Sequence, residues 1–193
     1  MDTNNQSISA DSQLTDEELA KKIQAGDSEL FSVLVSRYEG KIKRYAKKFL
    51  FNYEDAEDLA QQAFLKTYIN INSFDSQRKF SPWVYRIAHN EFINAIKKRK
   101  REPLPFFDAD TIFPHPLAKE NPLKDSERAE ISRVINQCLG QLNAKYREPL
   151  ILYYLENFDY NEIADIMRIP VSTVGVRLRR GKEKLKILCE KIN

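Results

Sequence analysis

Residues 159–185 read DYNEIADIMRIPVSTVGVRLRRGKEKL, and the spacing of their apolar side chains predicts two helices meeting at a tight turn. Asp159 and Glu162 form a reciprocal capping pair for the first helix, and Ile163, Ala164 and Ile166 supply its packing positions. Pro170 marks the turn between a helix at 159–169 and a second at 171–188, the spacing of a helix-turn-helix. In the second helix Val174, Leu178, Gly181, Leu185 and Leu188 recur at intervals of four and three, so they face inward. Ser172, Gly175, Val176, Arg179, Arg180 and Glu183 are then turned outward, with Thr173 and Arg177 on the flanks. Arginines on such a helix can make paired hydrogen bonds to guanine in the major groove, and hydroxyls and amides at its N-terminus can hold phosphate.

Upstream, Ile131, Val134, Ile135, Cys138 and Leu142 carry helical periodicity, which opens this domain near Glu127 and predicts its extent as 127–193. Residues 102–126 break the regularity with Pro103, Pro105, Pro114, Pro116 and Pro122 and are rich in acids, the composition of a stiff linker or functional loop.

Before the linker, residues 15–101 predict a further helical domain, preceded by a polar tail over 1–14 read as disordered. Thr15 and Glu18 make a capping box ahead of Leu19 and Ile23. Leu30, Phe31, Leu34, Val35, Tyr38, Ile42, Tyr45 and Phe49 mark a longer helix. From Glu54 to Ile71, Ala56, Leu59, Ala60, Ala63, Phe64 and Tyr68 share one side. The opposite side carries Glu54, Asp58, Gln61 and Gln62 but also Leu65 and Ile69, a polar face with apolar ends that suits a partner better than water. A last helix, started by Ser81 and Pro82 and running to about Lys100, has Val84, Tyr85, Ala88, Phe92, Ile93, Ala95 and Ile96 on one face. Its other stripe reads Trp83, Arg86, Asn90, Asn94, Lys97 and Arg101: an aromatic to stack on bases, amides to bond their edges, and cations for phosphates. His89 falls on the apolar side, where a packed histidine is expected.

Composition narrows the class. Apolar residues make up 42% and charged residues 31%, with only 5 glycines, the balance of a helix-rich protein and not of a barrel or sandwich. The net charge of +3 hides two basic blocks, Lys97 to Arg101 and Arg168 to Lys191, a distribution that points toward nucleic acid. Cys138 and Cys189 read as two isolated thiols, distant in sequence from His89 and His115, so no metal site and no cofactor are expected. No apolar run approaches bilayer length, so no membrane insertion and a cytoplasmic location are expected.

Four segments in order resemble one family: Gly26, Asp27 and Phe31; Asp55-Ala56-Glu57-Asp58-Leu59 followed by Gln61 and Phe64; FSPWVYRIAHN at 80–90; and 159–185 as quoted. The chain resembles an extracytoplasmic-function sigma factor, a minimal member of the sigma-70 family. The resemblance implies an all-α fold of two small helical domains joined by the proline-rich linker. It implies that Asp58, Gln61, Gln62, Leu65 and Ile69 bind core RNA polymerase. Trp83, Arg86, Asn90, Asn94, Lys97 and Arg101 would engage the minus-ten promoter element. Ser172, Thr173, Val176, Arg177, Arg179 and Arg180 would engage the minus-thirty-five element. It further implies a linker threading toward the polymerase active centre, a loop at 75–79 holding a flipped minus-ten base, and an anti-sigma partner. Three positions depart from the pattern: Gln62 replaces a usual Glu, Arg168 a frequent Gly, and Gly175 a common basic residue, which removes one expected DNA contact.

Two other readings compete. A stand-alone helix-turn-helix regulator would explain 159–188 but leaves the first hundred residues without a role, and predicts specific duplex binding by the free protein. An enzyme would need Glu54, Asp55, Glu57 and Asp58 to hold a catalytic metal. Acids at a helical N-terminus are explained more simply by the helix dipole and partner contacts.

Overall fold

The computed structural model describes residues 14–50, 55–101 and 126–191, excluding the side chains of 99–101 and 126–130. Most of the tail (1–13), Glu54 and nearly all of the linker therefore lie outside the described residues. Eight α-helices and no strands occur among those described, and none of these helices is long and apolar enough to cross a membrane.

The first half holds α1 (Asp16–Gln24), α2 (Phe31–Leu50), α3 (Ala56–Asn70) and α4 (Phe80–Arg101). Thr15 closes the expected capping box: its Oγ1 accepts from the Glu18 N–H at 3.2 Å while its own N–H donates to Glu18 Oε2 at 2.8 Å. Leu14, expected to belong to the disordered tail, instead packs against the core. Along α2 the buried Leu34, Tyr38, Ile42, Tyr45 and Phe49 recur every three or four residues. The buried Ala56, Ala60 and Ala63 give α3 a low-profile face, so α2 and α4 both pack closely against it. Tyr45 sits at the centre, with Phe92, Tyr85 and Phe49 rings at 5.2, 5.4 and 5.8 Å. α4 starts at Phe80, ahead of the expected start after Ser81 with Pro82 in the first turn; Glu17 Oε1 of α1 accepts the Phe80 N–H at 2.8 Å and caps the helix from outside its own sequence.

The second half holds α5 (Ser126–Gln141), α6 (Ala144–Tyr154), α7 (Tyr160–Met167) and α8 (Val171–Glu190). The Asp159–Glu162 capping box forms as expected. Arg168 ends α7 in the left-handed region at φ 52°, which is why a glycine is frequent there; a non-glycine residue accepts strain to make the turn. At Gly181 a Cβ would meet Leu150 Cδ1 and the Tyr146 carbonyl oxygen at 3.2 Å, so a side chain there would push α8 off α6.

One expectation is corrected. Cys138 and Cys189 are not isolated thiols: they form a disulfide between α5 and α8, with Cα atoms 5.5 Å apart. The periodic residues Ile131 and Ile135 lie on α5 as expected but are 59% and 43% exposed, because α8 meets α5 along the side marked by Cys138 and Cys189.

The two halves touch. Their buried residues form a continuous apolar cluster, in which the Phe158 ring meets Tyr85 edge-on at 4.7 Å. Polar contacts flank it. Glu148 of α6 accepts the Tyr45 hydroxyl proton and lies 2.5 Å from His89 Nδ1, so the histidine is packed, as expected, but against a carboxylate of the other half. Glu156 accepts from Arg44 through Nε at 2.9 Å and Nη2 at 2.7 Å, and from the Tyr85 hydroxyl at 2.6 Å.

Candidate nucleic-acid interface

Three helical faces carry the residues singled out in the sequence. On α3, Asp58, Gln61, Gln62, Leu65 and Ile69 are all exposed. Leu65 and Ile69 are 60% and 66% exposed, and two large aliphatic side chains side by side in water are unusual on a face that is otherwise polar. Lys66 beside them pairs with Glu91 of α4 at 2.6 Å, tying this face to the next helix.

On α4 the stripe divides. Asn94 and Lys97 are exposed, Trp83, Arg86 and Asn90 are half-buried, and the side chain of Arg101 lies outside the described residues. The Trp83 ring packs on Phe74 at 5.1 Å and Phe80 at 5.5 Å, which fixes one of its faces and leaves the indole standing at a cleft. That cleft, about 490 Å³, runs between α4 and α7 and is lined by Trp83, Arg86, Arg78, Lys79 and, from the other half, Asp159, Glu162 and Asp165. Its walls are oppositely charged. Lys79 Nζ lies 2.7 Å from Glu162 Oε1, and that hydrogen bond raises the lysine above its ordinary value. Burial, and after it the Arg168 charge, draws the Arg86 guanidinium below its ordinary value, with Asp165 opposing. Asp75 shapes the 75–79 loop by accepting the Gln77 N–H at 3.0 Å on its side chain and the Arg78 N–H at 2.9 Å on its carbonyl.

On α8, Ser172, Val176, Arg179 and Arg180 are exposed and Thr173 and Arg177 half-buried, while Val174 and Leu178 are buried behind them. A Cβ at Gly175 would meet the Tyr160 ring at 3.6 Å, an ordinary contact, so packing does not demand glycine there. Neighbouring this face is an apolar group the sequence reading did not find. Tyr153, Tyr154, Leu155 and Tyr160 are all at least 37% exposed, with Tyr153 edge-on to Tyr154 and Tyr160 at 4.9 and 5.5 Å. Its sequence signal is the run ILYYLENFDY at 151–160, which becomes legible only once α6 is placed. Arg78 and Lys79 belong to the 75–79 loop and its edge, and their opposition to α7 depends on a contact between segments distant in sequence.

With this geometry in place, two family models match the chain in order: Sigma-70 region 2 over residues 34–102 and Sigma-70, region 4 over residues 132–185. The ECF RNA polymerase sigma factor SigW of Bacillus subtilis is 38% identical over 174 residues, covering 86% of this chain and 92% of that protein. The RNA polymerase sigma-H factor of Pseudomonas aeruginosa is 33% identical over 180 residues, covering 88% and 91%. Among solved structures, the sigma factor RpoE of Bartonella quintana, in complex with the anti-sigma factor NepR, superposes with a TM-score of 0.69 at 25% identity, covering 83% of this chain and 96% of that one. CnrH, solved with the cytosolic domain of CnrY, shares the fold with a TM-score of 0.68 at 23% identity, covering 92% and 99%.

Proposed function

The chain belongs to the extracytoplasmic-function sigma factors of the sigma-70 family, which bind core RNA polymerase and direct promoter recognition and transcription initiation, and from that premise we propose how its two halves divide the work. Residues 15–101 dock on the polymerase through Asp58, Gln61, Gln62, Leu65 and Ile69 and read the minus-ten element through Trp83, Arg86, Asn90, Asn94, Lys97 and Arg101. Residues 127–193 read the minus-thirty-five duplex through Ser172, Thr173, Val176, Arg177, Arg179 and Arg180. Residues 102–126 connect them along the polymerase. The factor works in the cytoplasm and contributes no catalysis of its own; by likeness to the Bartonella factor, an anti-sigma factor is a partner.

One observation carries this division: each matched region holds its own helical face with nucleic-acid chemistry, aromatic and amide on α4, arginine on α8. The chemistry differs as the two DNA targets differ. Unpaired bases offer flat faces to an indole and edges to amides, whereas duplex in the major groove offers guanine acceptors to arginine. In the closed chain the acids of α7 stand across the cleft from Trp83 and Arg86, in the place DNA must take, so minus-ten reading requires α7 to leave α4.

The test is run-off transcription with purified core polymerase on genomic fragments, followed by start-site mapping. Discrete starts that depend on the added chain support the reading; specific duplex binding by the free chain with no starts would make it a stand-alone regulator. A Gln61→Ala, Leu65→Asp double variant should lose core-polymerase binding in a pull-down while keeping its helical circular dichroism. Undiminished binding would remove α3 from the polymerase contact.

A further inference from the structure

Cys138 and Cys189 play no part in polymerase or DNA contact as proposed above, yet they are bonded to each other across the second half. Their placement is specific. α8 is held along its first three turns by the buried Val174, Leu178 and Gly181, but from Lys182 onward its residues are exposed or only half-buried, Ile187 at 52%. α5 packs against α8, and the disulfide is the covalent tie between the two, joining a fully buried Cys138 to a half-buried Cys189 near the end of α8.

A factor that works on polymerase, the reading on which this inference rests, meets a reducing interior where thiols are ordinarily kept free. A bonded pair in such a protein is a reversible couple more naturally than a permanent staple. We propose that Cys138 and Cys189 form an intramolecular redox site, oxidised by small-molecule disulfides, whose closure clamps the end of α8 to α5 and strengthens minus-thirty-five duplex recognition. Cys189, the accessible member, attacks one sulfur of the small disulfide as its thiolate, forming a mixed disulfide and releasing one thiol. Cys138 then attacks Cys189 Sγ and expels the second thiol. Two protein thiols are oxidised to one disulfide, the small disulfide is reduced to two thiols, and the protons pass to the departing sulfurs.

The physical consequence follows from where the bond lies. It closes a span of 51 residues, which restricts the unfolded chain and so favours the folded second half. It also restrains fraying of α8 beyond Gly181, in the turns that follow Arg177, Arg179 and Arg180 and that none of the buried residues of α8 holds. A helix whose last turns are already ordered gives up less conformational freedom when its domain meets DNA.

The experiment compares full-length protein treated with oxidised glutathione or with dithiothreitol. Oxidation should remove both titratable thiols, lower the monomer mass by about 2 Da, and raise the thermal midpoint by roughly 5–10 °C. The reconstituted holoenzyme should then bind minus-thirty-five duplex several-fold more tightly, with no change on a premelted minus-ten template. Cys189→Ser and Cys138→Ala should each abolish the response, and Cys189→Ser, at a half-exposed position, keeps the test valid if the buried substitution misfolds. Persistent free thiols under oxidant, links between molecules, or equal duplex binding by the two forms would each overturn the proposal. Run-off transcription by the reduced holoenzyme separates this from the parent reading: starts without redox dependence refute the couple alone, and absence of starts in both states refutes the sigma-factor role.

Discussion

The two faces assigned to DNA are treated differently by the fold. On α4, Trp83 and Arg86 are half-buried and line the cleft that α7 closes, while on α8, Arg179 and Arg180 stand in solvent. Composition is the cause. The indole of Trp83 already packs on Phe74 and Phe80, so covering that stretch of α4 buries apolar surface, and Asp165 across the cleft offsets part of the cost of desolvating Arg86. Covering Arg179 and Arg180 would strip water from two adjacent like charges. An aromatic face doubles as a packing surface and is therefore easily hidden; a face of arginines is not. The α4 face, proposed above to read the minus-ten element, is thus the one that α7 covers in the closed arrangement.

The largest expected effect would separate the halves outright. Gly181→Val drives a branched side chain into Leu150 and the Tyr146 carbonyl, overpacking of the kind that costs about 1–3 kcal/mol or more. Hydrogen exchange should show the second half opening while α1 to α4 keep their protection. Equal loss of protection in both halves would mean that the continuous core makes them one cooperative unit.

Next come the readers themselves. Arg180→Ala should lower holoenzyme affinity selectively at minus-thirty-five positions, by about 5- to 150-fold for a paired base contact, with the premelted minus-ten template unaffected. Asn90→Ala should do the reverse, impairing open-complex formation more than recruitment. Permanganate footprinting that finds normal melting would take Asn90 out of the site, and equal loss on random and promoter DNA would reduce Arg180 to a phosphate anchor.

Smaller still is the effect on gating. Glu156 is nearly buried and accepts three hydrogen bonds from Arg44 and Tyr85, so Glu156→Gln should shift the free chain toward separated halves by about tenfold, since a bond to a charged acceptor exceeds one to a neutral acceptor by roughly 1–1.5 kcal/mol. Energy transfer between dyes on the two halves reads the shift; an unchanged distance distribution would show that apolar contact alone keeps them closed. The least effect belongs to Glu162→Gln. Glutamine keeps the capping box but loses the charge facing the exposed Lys79, and an exposed pair shifts the same equilibrium by no more than about 5-fold.

Much of this molecule was legible along the chain because its signals are local. The Thr15–Glu18 and Asp159–Glu162 boxes, the outward face of α8 and the exposed Leu65 and Ile69 all follow from residues within two helical turns of one another. α6 lacks a local signature for a physical reason: Arg147, Glu148, Pro149, Leu150, Ile151 and Leu152 are consecutively buried, so the middle of the helix does not alternate between core and solvent and generates no period, and an interior proline argues against a helix on local grounds. The Cys138–Cys189 bond escaped because 51 residues separate its ends.

Local chemistry therefore decided which helices form, which faces are polar, aromatic or cationic, and to which family the chain belongs, since capping, periodicity and side-chain type act over a few residues. The fold alone decided that Glu148 and Glu156 reach across to Tyr45, His89, Arg44 and Tyr85, that α7 stands before Trp83, and that two thiols meet. Those contacts join segments whose separation along the chain carries no pattern, and they exist because burying apolar surface, including Tyr85 against Phe158, draws the two halves together and leaves the buried carboxylates to find whatever donors the packing brings within reach.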